Sequence, residues 1–175
     1  QDDIDKRLKL QFKKHKICIA ASTHENEELF AAKTHMLLKK KNKKLITILI
    51  PRHINRVNEI NESAAKFGFK THLHSSKNKI SNDANIYLVD SYGEVNKFYR
   101  ISSTIFMGGS IIPHGGQNPL EAARFGCKII HGPYISNFKE IYKKLKSMNI
   151  SSKFNSYNNG IKIIEKSFNK KNNTF

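Results

Sequence analysis

The sequence contains no run of about eighteen apolar residues, so no segment reads as a membrane-spanning helix. Its opening residues, QDDIDKRLK, lack the apolar stretch of a secretory leader. There are two cysteines, Cys18 and Cys127, far apart and in no C-x-x-C pair. Each lies in an apolar run, the setting of a buried thiol in a reducing compartment, and the chain is read as cytoplasmic. No two histidines have the i, i+4 spacing of a helical zinc site, and neither a metal nor a cofactor is expected. Neither G-x-S-x-G nor G-x-x-x-x-G-K-[ST] occurs, so there is no nucleophile elbow and no P-loop. There is no internal repeat and no starting Met, and the chain is expected to be a piece of a longer protein. Acidic residues are scarce: 14 Asp and Glu stand against 31 Lys and Arg, for a formal net charge of +17. The lysines are scattered through a chain crowded with Asn and Ile, which reads as a solvated basic surface. Anionic lipid headgroups are the functional alternative.

At 175 residues the chain is long enough for one domain with a real core. Residues 1–15 are charged and weakly periodic and read as a linker; the fold is expected over 16–170, with 171–175 a fraying tail. Ile17–Ala21 reads as a strand, and Ser22 with Glu25 matches a capping box for the helix that follows. In that helix Leu29, Ala32, Met36 and Leu37 recur at helical spacing, and the lysines from Lys39 to Lys44 suit its negative end. LITILI, Leu45–Ile50, reads as a strand buried on both faces. A helix over 54–66, strands over 71–74 and 86–89, a short helix around Val95, Phe98 and Ile101, a strand over 128–131, and helices over 137–148 and 161–168 complete the pattern. Alternation of this kind implies right-handed βαβ units: an α/β fold with one doubly wound, Rossmann-like parallel sheet, whose ligands bind beyond the carboxyl ends of the strands. The turns at Ser22–Glu25, Pro51–His53, Ser91–Glu94, Gly108–Glu121 and His131–Pro133 all fall on that edge.

The stretch IFMGGSIIPHGGQNPLEAARF, Ile105 to Phe125, reads as strand, loop and helix. Gly108-Gly109 lets the backbone turn tightly and approach a ligand. After Gly115-Gly116, Asn118 reads as an N-cap, Pro119 as the first helical residue, and Glu121 as the residue reaching back to the cap. The free N–H groups and positive end of such a helix attract phosphate. Arg52, following a buried strand, can offer a bidentate fork to a phosphate or carboxylate, or cap a helix. Glu94 and Glu121 can accept from ribose hydroxyls, or cap. His24, His53, His114 and His131 also lie at turns, while His72 and His74 can share one strand face. From the residues alone, this rim takes an anionic ligand of nucleotide type.

ASTHENEE at Ala21–Glu28, PRH at Pro51–His53, YGE at Tyr92–Glu94, GGSIIPHGGQNPLEAARFG from Gly108, and HGPYISNFKEI from His131 resemble, in residues, order and spacing over roughly 16–145, the 3-deoxy-D-manno-octulosonic acid (Kdo) transferases of Gram-negative bacteria. The resemblance implies the C-terminal, donor-binding half of a GT-B glycosyltransferase of lipopolysaccharide synthesis, acting at the cytoplasmic face of the inner membrane. It implies transfer of Kdo from CMP-Kdo to a lipid A precursor by metal-independent, inverting displacement. CMP contacts are implied at Pro51 and Arg52, at Tyr92, Gly93 and Glu94, and at Asn118, Pro119, Leu120 and Glu121. The family commonly has Met where Tyr92 stands. The N-terminal half, which in that family carries the catalytic glutamate and the lipid acceptor site, is absent, so no catalytic residue is expected here and the isolated chain is expected to be inactive. The partners implied are CMP-Kdo, the lipid A precursor, an anionic membrane surface and that missing domain, with no nucleic acid. The rival readings are a GT-B transferase or epimerase using a UDP-sugar, a chain with the fold but no activity, and, in a different class, a basic nucleic-acid-binding protein, which finds no recognisable module here.

Overall fold

A computed structural model of the chain describes residues 4–169; the expected tail, 171–175, lies outside the described residues. Seven strands, β1 (Lys16–Thr23), β2 (Leu45–Pro51), β3 (Thr71–Leu73), β4 (Ile86–Leu88), β5 (Thr104–Met107), β6 (Lys128–His131) and β7 (Ser151–Lys153), form one parallel sheet. Its order is β3-β4-β2-β1-β5-β6-β7. The helices are α1 (Lys6–Phe12), α2 (Glu27–Lys41), α3 (Val57–Lys66), α4 (Val95–Tyr99), α5 (Leu120–Arg124), α6 (Lys139–Ser147) and α7 (Tyr157–Asn169).

Strand periodicity explains why the sheet is covered on both sides. In β2 every residue is buried. Ile46, Ile48 and Ile50 enter one core with Ile19, Ala21, Ile105, Met107 and Ile129, and that core is closed by Phe12, Phe98, Ala122 and Tyr142 from α1, α4, α5 and α6. Leu45 and Leu49 point the other way, with Ala20, Phe106 and Ile130, against Phe30, Leu38, Ile60 and Ile161 from α2, α3 and α7. Successive side chains of a strand take opposite faces, so a run apolar at every position belongs between two layers of helices. Each such Ile or Leu contributes about 1.5–3 kcal/mol by leaving water.

Four expectations change. The segment read as a linker carries α1, capped by Asp5 accepting from the Arg7 and Leu8 N–H groups. Its Phe12 packs edge-on against Tyr87 at 4.9 Å between ring centroids, so the core begins before residue 16. In α2 the buried face is Phe30, Ala31, Ala32, Thr34, His35 and Leu38, whereas Met36 and Leu37 are each 47% exposed. The apolar residues there run almost round the helix, so spacing alone placed Ala32 on the buried face but Met36 and Leu37 with it wrongly. No Ser22–Glu25 capping box forms, because Ser22 still belongs to β1 and α2 begins at Glu27. Finally, β7 is a three-residue edge strand, SSK, with too little apolar character to announce itself. Cys127 is buried and Cys18 partly so, both free; burial pushes the Cys127 thiol up to about 12, that of an inert packing residue.

Candidate functional site

β1 has β2 on one side and β5 on the other, so the chain leaves β1 in one direction along the sheet and later returns on the opposite side. At such a switch point the connections diverge and leave a crevice at the carboxyl edge. The crevice is tightly drawn. The Gly108 N–H donates to the Ala21 carbonyl at 2.7 Å, and a Cβ on Gly108 would overlap the Ser22 carbonyl. Ser22 itself sits at φ +54°, where the β1–β2 register shifts, a conformation that costs about 1–2 kcal/mol outside glycine.

The residue that sets this crevice is Glu27, whose side chain is 0% exposed. Its Oε2 accepts from the N–H groups of His24 (3.0 Å) and Gly109 (2.7 Å), and its Oε1 from those of Ser110 (3.0 Å) and Ile111 (2.9 Å). Four backbone donors saturate a carboxylate, which is how its charge can be buried. They also mean that the N–H groups after Gly108 are occupied by the protein's own anion. The first glycine pair therefore holds the loop to α2, and an incoming phosphate must look elsewhere along the rim. Sequence reasoning missed Glu27: it is one of three glutamates in ENEE, and only its placement one turn from the loop distinguishes it.

The rest of the loop is braced across itself. Gly116 donates to the Gly109 carbonyl (2.8 Å), Asn137 to the Gly115 carbonyl (3.0 Å), and the Tyr142 hydroxyl to the Gln117 carbonyl (3.1 Å). α5 follows, one residue later than expected, with Pro119 just outside it. The N-cap position falls to Pro119 rather than the expected Asn118, which stands one residue before it with its Oδ1 accepting from the Leu120 N–H at 3.1 Å. Glu121 does not reach back to the cap. Its carboxylate is 49% exposed and lies 3.7 Å from Arg124, one turn on. Asn118, Leu120 and Glu121 are thus an exposed row at the mouth of the crevice, with Pro119 buried beneath.

Pro51 is buried at the end of β2, and the Arg52 N–H donates to the Thr23 carbonyl at 2.9 Å, which ties this turn to the end of β1. The Arg52 side chain is exposed and, among the described residues, in no ion pair. Tyr92, 75% exposed, and Gly93, at φ +77°, form the turn after β4. Glu94 is engaged there: it forms an ion pair with Lys97 Nζ at 2.7 Å and lies 3.8 Å from His74, whose other ring nitrogen meets the Tyr87 hydroxyl at 2.7 Å. Ser91 caps nothing; its hydroxyl is buried without a partner. The three groups 51–52, 92–94 and 118–121 share one edge of the sheet, and no hydrogen bond or ion pair joins them to one another among the described residues.

Three of the four turn histidines converge. The His24 ring lies 4.2 Å from that of His114 and 5.7 Å from that of His53, between centroids. His131 is apart from them, packed on Tyr142 with Nδ1 2.7 Å from the Gly132 carbonyl; burial holds it down to about 4. His72 and His74 do share a face, both against the Tyr87 ring. Among the described residues no cluster of three His, Cys, Asp or Glu side chains has the arrangement of a metal site, and no helix is long and apolar enough to cross a membrane. A concavity of about 230 Å³ between α2 and α3, lined by Leu49, Ile60, Ala64 and Phe69, lies beside an Arg56–Glu28 ion pair of 3.0 Å.

Fold and rim together define the class. α,α-Trehalose-phosphate synthase (UDP-forming) of Burkholderia vietnamiensis superposes with a TM-score of 0.61 over 95% of this chain and 38% of its own at 7% identity, a likeness of fold alone. The architecture is that of the C-terminal Rossmann-like domain of GT-B glycosyltransferases. No family model matches. The particular likeness is narrower. The C-terminal CMP-Kdo binding domain of WaaA from Acinetobacter baumannii superposes with a TM-score of 0.84 at 27% identity, over 93% of this chain and 84% of that one. The chain is 39% identical over 130 residues to the 3-deoxy-D-manno-octulosonic acid transferase of Haemophilus influenzae, 74% of this chain and 30% of that protein. It is 31% identical over 134 residues to that of Aquifex aeolicus, 75% of this chain and 36% of that protein. The chain is a relative of the Kdo transferases, and spans about a third of the length of the curated relatives it matches.

Proposed function

We propose that this chain is the donor-binding domain of a Kdo transferase: it holds CMP-Kdo on the carboxyl edge of its sheet while a second domain presents the acceptor. The observation that carries the proposal is the superposition, along nearly the whole chain, on a domain described as CMP-Kdo binding. The unpaired Arg52 and the exposed row Asn118 to Glu121 supply what a cytidine monophosphate leaving group requires. Arg52 offers a positive fork to the phosphate, and Glu121 is an acceptor for ribose hydroxyls. The Pro51 turn and the Tyr92–Glu94 turn flank the nucleotide. In an inverting displacement a base takes the proton from the acceptor hydroxyl as CMP departs, and the positive groups of this rim offset the charge that grows on the leaving phosphate. The base, the lipid A precursor site and contact with the inner membrane belong to the remainder of the enzyme. The basic surface of this domain adds attraction to an anionic bilayer, roughly 1 kcal/mol for each well-placed Lys or Arg.

Titration calorimetry with CMP and UDP tests the donor class: CMP binding well above UDP supports the proposal, and equal or stronger UDP binding moves the chain to the UDP-sugar enzymes. In a transfer assay with CMP-Kdo and lipid A precursor, the purified 175 residues alone are expected to give no product. Turnover by the chain alone would refute the assignment of the base to another domain.

A further inference from the structure

His24 stands out among the residues the donor reading does not use. It is 8% exposed, and neither ring nitrogen has a hydrogen-bond partner among the described residues. The Ser22 carbonyl is near enough to favour the charged ring, and Glu27 Oε2 lies 3.7 Å from Nδ1 with its lone pairs already committed to backbone N–H groups. A buried imidazole with both nitrogens unsatisfied is costly unless something else comes to meet it. What faces it is two more imidazoles, His53 from the turn after β2 and His114 from the glycine loop, both exposed at the mouth of the crevice. Three loops thus bring three rings to the switch point, with Arg52 next in the chain to His53.

Opposed groups surround His24. Burial disfavours its protonated form, the His114 and His53 rings add to that, and Glu27 and the Ser22 carbonyl work against them. Without a ligand the balance at His24 favours the neutral ring. An oxyanion in the crevice adds a second negative partner, accepts hydrogen bonds from imidazole N–H groups, and reverses the balance. We propose that His24, His53 and His114 form an oxyanion subsite that takes up a proton from solvent when the phosphate or the sugar-acid carboxylate of a nucleotide-sugar donor enters. The proposal rests on the donor-binding reading for the source of the anion, but the subsite is defined by the three rings themselves.

The test is proton NMR of the imidazole Cε1–Hε1 signals of the chain, titrated from about pH 5 to 8, alone and with CMP, inorganic phosphate or free Kdo. A bound probe is expected to raise the titration midpoints of the cluster by about one unit or more. Response to CMP and phosphate assigns the subsite to the phosphate; response to Kdo alone assigns it to the carboxylate. His24→Asn is expected to abolish the joint response, and His53→Asn, an exposed position that leaves folding intact, to weaken it. If none of the three probes moves any of the three histidines, or if His53→Asn leaves the response unchanged, the subsite is refuted. CMP binding seen by calorimetry with silent histidines refutes the subsite and leaves the donor reading standing. Histidine response to phosphate or Kdo with no affinity for CMP keeps the subsite and refutes the donor reading.

Discussion

At the start of α2 a glutamate lies fully buried beneath four backbone N–H donors; at the start of α5 another lies half out in solvent, 3.7 Å from Arg124. Both helices open on the same crevice. The first opening is closed: its carboxylate stands where an anion would bind and fastens the glycine loop to the sheet. The second is open, with Asn118 accepting from the first helical N–H and Glu121 exposed. At the first end the backbone donors are taken by the protein's own carboxylate, and at the second, on the donor-binding proposal, the exposed groups meet the nucleotide, so substitutions of the two glutamates should separate stability from affinity.

The largest effect is expected at the closed end. Glu27→Gln places an NH₂ against two N–H donors and removes the charge. The loss of two charge-assisted bonds at a buried site is worth about 3–5 kcal/mol. For a domain of this size that lowers Tm by roughly 6–20 °C, readable by calorimetry. An unchanged Tm would mean that the glycine loop does not depend on Glu27.

Acid should weaken the scaffold next. His35 and His131 are each held down to about 4 by burial, from an ordinary 6.5. A depressed histidine contributes stability that is complete above about pH 6.5 and is lost as pH falls toward 4, because the unfolded chain takes up protons that the folded one refuses. The loss is about 3 kcal/mol per histidine. Urea unfolding at a series of pH values should show the decline, and His131→Gln should reduce its slope.

At the open end the effects should appear in binding. Arg52→Lys keeps the charge but loses the planar fork, and CMP affinity should fall by about 1–2 kcal/mol with Tm unmoved. Affinity unchanged by calorimetry would show that Arg52 faces away from the nucleotide. Glu121→Gln should lower CMP affinity about tenfold and stability by a few tenths of a kcal/mol, because the carboxylate is not part of a capping box. Loss of stability with intact affinity would return Glu121 to a structural role.

Much of this was legible beforehand, for physical reasons that vary by element. LITILI could only be a strand covered on both faces, and Asn118-Pro119 could only open a helix. The rim followed from the alternation of strands and helices. Glu27 and the joining of His24, His53 and His114 were not legible, since each depends on contacts between segments remote in the chain. The stretch before β1 was misread because its charged residues dilute Ile4 and Phe12, and Phe12 packs on Tyr87 and Phe98 far downstream. Met36 and Leu37 were misassigned because α2 is apolar on more than one side.

The most direct test of the account is a calorimetric titration of CMP and UDP into the wild-type chain and into Arg52→Lys. The account predicts one CMP site per chain, UDP weaker by about tenfold or more, and CMP weaker in the variant by a factor between about five and thirty. Absence of CMP binding, or UDP bound as tightly as CMP with no response to the Arg52 substitution, would contradict it.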